Sequence, residues 1–344
     1  MTRYLNLLFL FPLLSTSLVL PCTAVSDAKV APKPLYRDPV YDGAADPVVI
    51  WNPHEAAWWM FYTNRRANVE GLSGVAWVHG SHIGIAESRD GGSTWTHVGT
   101  ANIDVSAVNP DDGLTFWAPD VYTAPDGSHY MFLTLVPGVF ETWDYPRSMV
   151  RLESEDLRNW SNATEIVLSS DRVIDAAILQ LGPKHWRMWY NDERDGKSIY
   201  YADSEDLQHW TDRGKAVGDQ AGEGPKVFRW KGYYWMVVDV WDGLGVYRSD
   251  DATTWLRQPE NLLREPGVGE DDRVKGGHPD VVVREDRAWL FYFVHPGRTA
   301  DQTHFSDGTE LRRSSIQVVE LQHEEGQLHC DRNAPTYVEL GQSE

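Results

Sequence analysis

Short runs of apolar and aromatic residues, separated by polar and turn-forming residues, recur along most of this chain. The most conspicuous runs are WWMFYTN at 58–64, HYMFLTLV at 129–136, HWRMWYN at 185–191, YYWMVVDV at 233–240 and AWLFYFV at 288–294. Such runs, bounded by turn residues, are typical of β-strands. Hardly any segment repeats its apolar residues at the 3.6-residue period of a helix. The pattern therefore predicts an all-β protein.

A second phrase, Ser-x-Asp-x-x-x-Trp, repeats in step with these aromatic runs. It occurs at Ser154/Asp156/Trp160, Ser204/Asp206/Trp210 and Ser249/Asp251/Trp255, and with one extra residue at Ser88/Asp90/Trp95. Each copy follows a short apolar strand, so one unit contains four strands. Units of four antiparallel strands that repeat along a chain are typical of propeller blades. We therefore predict a five-bladed β-propeller with four-stranded antiparallel blades, in which the Ser-x-Asp phrases form turns and core contacts without chemistry.

The first 24 residues have a different pattern. Residues 5–20 are nearly all apolar, follow Arg3, are interrupted by Pro12, and precede the small-residue site Cys22-Thr23-Ala24. This is typical of a cleaved secretory signal peptide, which implies a secreted or periplasmic protein with no membrane attachment after cleavage. A lipoprotein anchor on Cys22 is the alternative, which Pro21 disfavours. The predicted organisation is a signal peptide at 1–24, an N-terminal extension at 25–39, the propeller at 40–335 and a C-terminal tail at 336–344.

Composition excludes several classes of protein. A hydrophobic fraction of 42% with 16 Trp is incompatible with intrinsic disorder. The excess of 51 acidic over 31 basic residues, a net charge of −20, argues against binding to nucleic acid. Two cysteines cannot form a disulfide scaffold or a four-thiolate zinc site, and signal cleavage leaves Cys330 alone. The 12 histidines form no HExxH motif.

One titratable residue stands just before or within the first strand of each repeat. These residues are Asp46 in AADPVVI, Asp120 in FWAPDVY, Asp175 in VIDAAIL, Glu223 in GEGPKVF and His278 in GGHPDVVV. The first strands of propeller blades line the central axis, so the five groups are expected to share one pocket at the channel mouth. Acids with separated pKa values are what cleavage of a glycosidic bond requires. The alternative is that they only cap turns.

The motifs at these positions resemble those of glycoside hydrolase family 43. They are ADP at 45–47, WAPD at 117–120, ID at 174–175 and EGP at 223–225. The resemblance implies that Asp46 is the general base, Glu223 the general acid, and Asp120 a residue that orients and tunes the pKa of the acid. It also places His278 near the channel centre, where it would contact a calcium ion or a water molecule.

Longer phrases, including GAADPVVIW at 43–51 and HPDVVV at 278–283, are similar to family 117, the anhydro-galactosidases that act on agar oligosaccharides. That likeness makes His278 a second candidate for the general acid. The family's N-terminal helical segment has no room here, because only about 15 residues separate Ala24 from the first blade. Its mode of dimerisation is not carried over, and the oligomeric state stays open.

These motifs together predict a secreted inverting exo-glycosidase that needs no cofactor, with a structural calcium ion as an option. Asp46 would deprotonate water and Glu223 would protonate the leaving group. Asp120 would keep Glu223 protonated through its charge and a shared hydrogen bond. The candidate substrate is a neoagaro-oligosaccharide that releases 3,6-anhydro-L-galactose. An α-L-arabinofuranosidase or β-xylosidase activity is the alternative.

Aromatic faces and charged donors are expected to bind the sugar. The candidates are Trp117, Trp241, Arg65 and Asp175, and most other tryptophans are assigned to the core. Loops at 64–82, 101–116, 137–147 and 264–277 are expected to wall a pocket, which favours exo action. A non-catalytic sugar-binding propeller and a glycoside phosphorylase are the alternatives from other classes. Only Lys226 and Arg229 lie near Glu223 in sequence to bind phosphate.

Overall fold

Five antiparallel sheets follow one another along the chain and form the blades of a β-propeller. The computed structural model describes Met1 and residues 29–298 and 308–341, and the predicted signal peptide after Met1 lies outside this part. The first strands of neighbouring sheets contact one another in a closed ring around the central axis. The five-bladed all-β architecture that the repeats predict is therefore confirmed.

The strands have the following bounds. Blade 1 contains β1 (Ala44–Asn52), β2 (Ala57–Asn64), β3 (His82–Ser88) and β4 (Thr96–Thr100). Blade 2 contains β5 (Asn102–Ile103), β6 (Thr115–Thr123), β7 (His129–Val136), β8 (Ser148–Ser154) and β9 (Asn159–Ile166). Blade 3 contains β10 (Val173–Gly182), β11 (His185–Asp192), β12 (Ser198–Ser204) and β13 (Thr211–Val217). Blade 4 contains β14 (Glu223–Trp230), β15 (Tyr233–Asp239), β16 (Leu244–Ser249) and β17 (Leu256–Arg257). Blade 5 contains β18 (Gly277–Arg284), β19 (Arg287–Val294), β20 (Ser315–Glu324) and β21 (Gln327–Cys330).

Regular structure outside the four-stranded pattern is sparse in the described residues. The two-residue strand β5 joins blade 2 by pairing in parallel with its outer strand β9. One 3-10 turn occupies Glu193–Asp195, and one short helix, α1, spans Thr309–Arg312. Within this part of the chain, no helix is long and apolar enough to cross a membrane.

The Ser-x-Asp phrases form tight turns between the third and fourth strands of the blades. In blade 2 the hydroxyl of Ser154 accepts a hydrogen bond from the backbone N–H of Leu157 at 2.8 Å. Asp156 accepts two more from the N–H groups of Arg158 and Asn159 at 2.8 and 2.7 Å. Trp160 then packs into the buried core between blades 1 and 2. The prediction that these phrases are structural is confirmed.

Each innermost strand contains a bulge where it reaches the central axis. The pairing with the second strand shifts between Ala45 and Val48, Trp117 and Asp120, Ile174 and Ala177, Glu223 and Lys226, and Gly277 and Asp280. The residue that follows the first member of each pair has a positive φ, and these five bulge residues are Asp46, Ala118, Asp175, Gly224 and His278. Left-handed backbone is unusual outside glycine, and it often marks functional positions.

In the described residues, no strand is shared between blades 5 and 1, where the ring closes. Segments at both ends of the described chain cover the junction instead, through backbone hydrogen bonds from Ala31 to Thr336, Tyr36 to Ile316 and Leu340 to Gly91. Val338 and Leu340 are fully buried against both blades. The terminal segments therefore act as a clamp on the propeller.

Candidate active site

One end of the central channel opens into a cavity of about 490 Å³. Its lining includes the carboxyl groups of Asp46, Asp175, Glu223 and Asp239, which come from three blades, and the imidazole of His278 from blade 5. Residues of three of the expected loops, 64–82, 137–147 and 264–277, form its walls. The cavity thus joins four of the five titratable groups that the sequence singled out.

The five groups do not occupy equivalent positions in the blades. Asp46, Asp175 and His278 are bulge residues, whereas Glu223 comes one residue earlier and Asp120 two residues after the bulge residue of its strand. Two residues along a strand return a side chain to the same face but place it about 6–7 Å further along the strand. The expected single ring is therefore two tiers, with Asp120 below the cavity.

Asp46 is buried between the guanidinium of Arg65 and the imidazole of His278. Arg65 donates from Nη2 to both carboxylate oxygens at 2.9 and 3.0 Å, and Nδ1 of His278 lies 3.4 Å from Oδ1. Burial by itself would raise the pKa of Asp46. The charges of Arg65 and His278 and a hydrogen bond from Thr63 outweigh it, and the pKa lies below the usual value. Asp46 is therefore held as a carboxylate.

Arg65 is fixed in place by more than this carboxylate. Nη1 of Arg65 donates to Nε2 of His295 at 3.3 Å, and the guanidinium lies 4.8 Å from the ring centre of Phe293. Nδ1 of His295 donates in turn to the carbonyl of Arg313 at 2.9 Å. Burial and the nearby arginines hold the pKa of His295 well below the usual value, so it stays neutral. Arg65 lines the cavity and holds the Asp46 carboxylate in one orientation, and its predicted role in binding sugar stays a prediction.

Glu223 faces the cavity from the start of β14, where it is partly exposed. Lys197 donates to its Oε2 at 3.0 Å and to Oε1 of Glu193 at 2.9 Å. Glu193 also pairs with the buried guanidinium of Arg147. The candidate acid is thus the end of a chain of alternating charges that runs along the cavity wall.

Asp175 is the buried carboxyl next to Glu223. Its Oδ2 accepts a hydrogen bond from the N–H of Gly224 at 2.9 Å, so it lies against the backbone that carries Glu223. Burial, followed by the negative charges of Glu223 and Asp46, raises the pKa of Asp175 well above the usual value. These surroundings therefore favour the protonated form of Asp175, beside the candidate proton donor.

Asp120 differs from its predicted place. Its oxygens accept from Nζ of Lys226 at 3.2 Å and from the N–H of Ile178 at 2.7 Å. Among the described residues Glu223 is not one of its partners, so the expected shared hydrogen bond is absent from this structure. The carboxyl group next to Glu223 is that of Asp175. Asp175 is the bulge residue of β10, whereas Asp120 comes two residues after the bulge residue of β6.

The lower tier of the channel holds a cation of its own. Nζ of Lys226 lies 2.7 Å from Oδ1 of Asp280 and 3.2 Å from Oδ1 of Asp120. Calcium requires six to eight converging oxygens, and no set of three or more possible ligands converges within the described part of the chain. One ammonium group already lies between the two axial carboxylates, so this tier does not fit a calcium ion. The calcium ion that the resemblance suggested beside His278 stays a prediction.

His278 is locked between its neighbours. Its backbone N–H donates to Oδ2 of Asp239 at 3.0 Å. Its imidazole ring lies so close to Gly224 that a Cβ added to this glycine would be 2.7 Å from Nδ1 of His278. Burial lowers the pKa of His278, against the raising effect of Asp46 and Glu223. The imidazole packs against the base side of the cavity and also fixes the glycine of the EGP motif.

The aromatic walls divide into buried and exposed faces. Trp117 is only 8% exposed, donates from Nε1 to the carbonyl of Val78 at 2.7 Å, and has the guanidinium of Arg147 5.4 Å from its ring centre. Trp143 and Trp241 are 47% and 39% exposed and stand on the cavity wall. The exposed aromatic faces on the wall belong to these two, of which the sequence had singled out Trp241.

Asp239 and Lys197 were missed by motif reading. Asp239 occupies the sixth position of an aromatic segment counted from residue 234, as Thr63, Thr134 and Asn191 do in the segments counted from 58, 129 and 186. Thr63 and Thr134 accept hydrogen bonds from the backbone of the next blade, as Asp239 does from His278. Aligning the aromatic strands would have revealed this polar position. Lys197 lies in a loop and carries no such signal.

The protein is thus a five-bladed propeller whose axial cavity holds carboxyl groups with pKa values shifted in opposite directions. The model of glycosyl hydrolases family 43 matches residues 36–322. The chain therefore belongs to glycosyl hydrolase family 43.

The curated relatives match only part of the chain. A probable arabinan endo-1,5-α-L-arabinosidase C of Aspergillus flavus, and another of Aspergillus oryzae, are each 27% identical over 174 residues, which is 46% of this chain. The matched region spans 51% of each relative, so the chain covers about half the length of these curated relatives.

Solved structures share the fold. A thermostable family-43 glycoside hydrolase superposes with a TM-score of 0.63 at 18% identity, covering 88% of this chain and 97% of that one. The xylan β-1,4-xylosidase from Bacillus halodurans gives a TM-score of 0.62 at 17% identity, covering 86% and 56%. At these identities the likeness concerns the propeller alone.

Proposed function

We propose that this protein is an inverting glycosidase that removes a terminal sugar from an oligosaccharide. The observation that carries the proposal is the contrast between two carboxyl environments in one cavity. Arg65 keeps Asp46 ionised, whereas Glu223 stands beside the protonated Asp175. Pairs of acids whose environments separate their pKa values are the usual basis for dividing acid and base roles.

Asp46 is the proposed general base. In an inverting reaction a carboxylate removes a proton from water while that water attacks the anomeric carbon. The two hydrogen bonds from Nη2 of Arg65 fix the carboxylate in one orientation, and His278 lies on its Oδ1 side at 3.4 Å. Asp46 thus has the ionisation state and rigidity that this role needs.

Glu223 is the proposed general acid, in preference to His278. His278 is buried, with a lowered pKa, and packs against the base. A neutral imidazole in that place is a poor donor at the pH where glycosides are cleaved. Glu223 has a partly exposed carboxyl and lies beside Asp175, whose proton can be shared across the pair. We assign to Asp175 the tuning role first expected of Asp120.

The shape of the site supports attack on a chain end. Loops 64–82, 137–147 and 264–277 contribute Trp77, Trp143 and Val274 to the wall, so the cavity is bounded on several sides. A pocket accepts a terminal residue, whereas an internal residue needs an open groove. The preferred substrate class is a pentose glycoside, an α-L-arabinofuranoside or β-xyloside, because the named relatives include arabinanases and a xylosidase.

Two other substrates and reactions remain as outcomes of the test. Neoagaro-oligosaccharides that carry 3,6-anhydro-L-galactose stay a candidate on the longer phrases quoted above. Phosphorolysis is disfavoured, since Lys226 is engaged by Asp120 and Asp280 and Arg229 points to the exposed surface. We further propose that the protein is exported, on the strength of its N-terminal segment.

A substrate panel tests the proposal. Purified enzyme is incubated with arabino-, xylo- and neoagaro-oligosaccharides, with and without inorganic phosphate, and the released sugar is identified. We expect monosaccharide release from one series, independent of phosphate. A phosphate requirement would identify a phosphorylase, and sugar binding without turnover on any series would identify a lectin-like propeller.

Replacing the base gives the matching variant test. Asp46→Asn removes the group that activates water, and loss of a general base typically lowers the rate about 10²–10⁴-fold. The melting temperature should fall, because the amide keeps the size of the carboxyl but not the buried ion pair with Arg65, so circular dichroism is used to check that the variant folds. A variant that keeps near-normal turnover would remove Asp46 from the mechanism.

A further inference from the structure

We propose that Lys197 is a positioning residue that aims Glu223 across the cavity and controls its protonation, and that Glu193 regulates this effect by sharing the same ammonium group. The inference rests on the proposed role of Glu223 as the acid. It concerns a residue in a loop of blade 3 that no motif marked.

The loop that carries Lys197 is rigid. Asp192 accepts a hydrogen bond from the N–H of Arg194 at 2.8 Å and so starts the 3-10 turn at Glu193–Asp195. The hydroxyl groups of Ser169 and Ser170 donate to the same carboxylate at 2.5 and 2.8 Å. The turn ends at Gly196, in left-handed backbone. The backbone that carries the Lys197 side chain is therefore held in one conformation at the edge of the cavity.

The ammonium group has three partners. It lies 3.0 Å from Oε2 of Glu223, 2.9 Å from Oε1 of Glu193 and 5.0 Å from the ring centre of Trp241. A cation over an indole face is attracted by the ring. Lys197 thus joins the candidate acid to the exposed aromatic face on the same side of the cavity.

Glu193 is itself anchored to the opposite aromatic wall. It pairs with Arg147, which is buried and donates from Nη2 to the carbonyl of Trp143 at 3.0 Å. The line Arg147–Glu193–Lys197–Glu223 therefore runs from the loop that carries Trp143 to the acid. A sugar held between Trp143 and Trp241 would lie over this line.

The charges around Glu223 oppose one another. The ammonium group of Lys197 attracts the carboxylate of Glu223, while Glu193, which shares the same ammonium group, weakens that attraction. The other charged or titratable groups around the cavity are Asp46 and Arg65 in blade 1, Arg147 in blade 2, Glu193 in blade 3, Asp239 in blade 4, and Lys275, His278, His295 and Arg298 in or next to blade 5. Removing the positive charge of Lys197 or the negative charge of Glu193 should therefore change the protonation of Glu223 in opposite directions.

Two substitutions are expected to move the same feature in opposite directions. The alkaline limb of kcat/KM reports loss of the acid's proton in the free enzyme. Lys197→Met removes the stabilising cation, so this limb should move up by roughly one pH unit. Glu193→Gln removes a competing anion and leaves Lys197 and Arg147 to face Glu223, so the limb should move down.

Matched variants separate this effect from general damage. Lys197→Arg keeps the charge and should restore the limb to within a few tenths of a pH unit of the wild-type position. Lys275→Met removes a positive charge from another wall of the cavity and should shift the limb much less than Lys197→Met. Melting temperatures of all four variants monitor folding, which matters most for Glu193→Gln because Arg147 is buried.

The outcomes are distinct. Opposite shifts in Lys197→Met and Glu193→Gln, with the arginine variant close to wild type, support the inference. Unmoved limbs, or shifts of the same sign, in folded and active variants would overturn it and leave the proposed hydrolase intact. If wild type cleaves no glycoside while Lys197→Met folds normally, the proposed function fails first and this inference fails with it.

Discussion

Asp46 and Asp175 have the same place in their strands and the same left-handed backbone, yet their surroundings drive their protons in opposite directions. Arg65 holds the first as a carboxylate, while burial beside Glu223 holds the second as an acid. The charge of Arg65 is the largest effect that lowers the pKa of Asp46, whereas the charges of Glu223 and Asp46 add to burial in raising that of Asp175. A single blade position is thereby used for a proton acceptor in blade 1 and for a proton reservoir in blade 3.

Arg65 should therefore set the acidic limit of activity. Its charge and hydrogen bonds lower the pKa of Asp46, so Arg65→Gln raises that pKa and moves the acid limb of kcat/KM upward by about one pH unit. Arg66→Gln is the control, since Arg66 donates to the carbonyls of His79 and Ala76 instead. An active Arg65→Gln enzyme with an unmoved acid limb would contradict this role.

At the scale of single residues, the sequence predicted which titratable residues meet in the cavity better than it predicted which of them contact one another. Asp46, Asp175, Glu223 and His278 meet in the cavity, because titratable residues before the first strands of repeats converge in a propeller. The partner of Glu223 was misassigned to Asp120, because two residues along a bulged strand separate the cavity from the tier below. No motif in a single sequence reports a bulge.

The bulges in the innermost strands are the elements that aim these groups. Each one turns the backbone at the channel mouth, so that neighbouring side chains serve different tiers. In blade 4 the bulge residue is Gly224, with φ of 56°, and the His278 ring fills the space where its side chain would be. The EGP motif thus needs its glycine to make room for His278.

Gly224→Ala tests this packing against Gly232→Ala in the following hairpin turn. Gly232 also has positive φ, but a Cβ there meets nothing within 4 Å. Both variants should lose about 1–2 kcal/mol of stability from left-handed alanine. Only Gly224→Ala should also lower kcat, by tenfold or more, because His278 must move. Equal kcat values in the two variants would show that the contact does not matter.

The tier below the bulges predicts how the enzyme responds to chelators. Lys226 already supplies the positive charge between Asp120 and Asp280. Dialysis against EDTA should therefore leave kcat and the melting temperature unchanged. Lys226→Met should cost roughly 3–5 kcal/mol, the usual effect of breaking a buried ion pair. Loss of activity in EDTA that calcium restores would contradict this account.

Strands and turns were the easiest elements to predict. Aromatic runs and Ser-x-Asp turns repeat in every or nearly every blade, and repetition averages out local ambiguity. The polar sixth position of the aromatic strands, which includes Asp239, went unnoticed because Phe293 breaks the pattern in blade 5. Lys197 and Trp143 lie in loops of unequal length, where no repeat exists to align them.

At the scale of the whole molecule, the propeller is closed by its ends. The described terminal segments pack across blades 1 and 5, and Val338 and Leu340 fill the junction. The repeats predicted five blades over 40–335, but they carry no information on how the ring is closed. Closure depends on segments outside the repeat, such as the Ala31–Thr336 and Leu340–Gly91 contacts.

The clamp can be tested at two nearby positions. Leu340 is fully buried at the junction, whereas the Tyr337 side chain is 43% exposed. Leu340→Ala should cost about 2–5 kcal/mol in denaturant unfolding, the usual range for a buried leucine. Tyr337→Ala should cost less than half as much. Equal losses would mean that the junction is not held by buried apolar contacts.

The anomeric configuration of the first product tests the central claim most directly. Wild-type enzyme is mixed with the oligosaccharide that it cleaves fastest, and the anomeric proton signals are followed by NMR before mutarotation. The account predicts that the sugar appears first as the inverted anomer, since a water activated by Asp46 attacks opposite the bond that Glu223 protonates. First appearance of the retained anomer would contradict this division of roles.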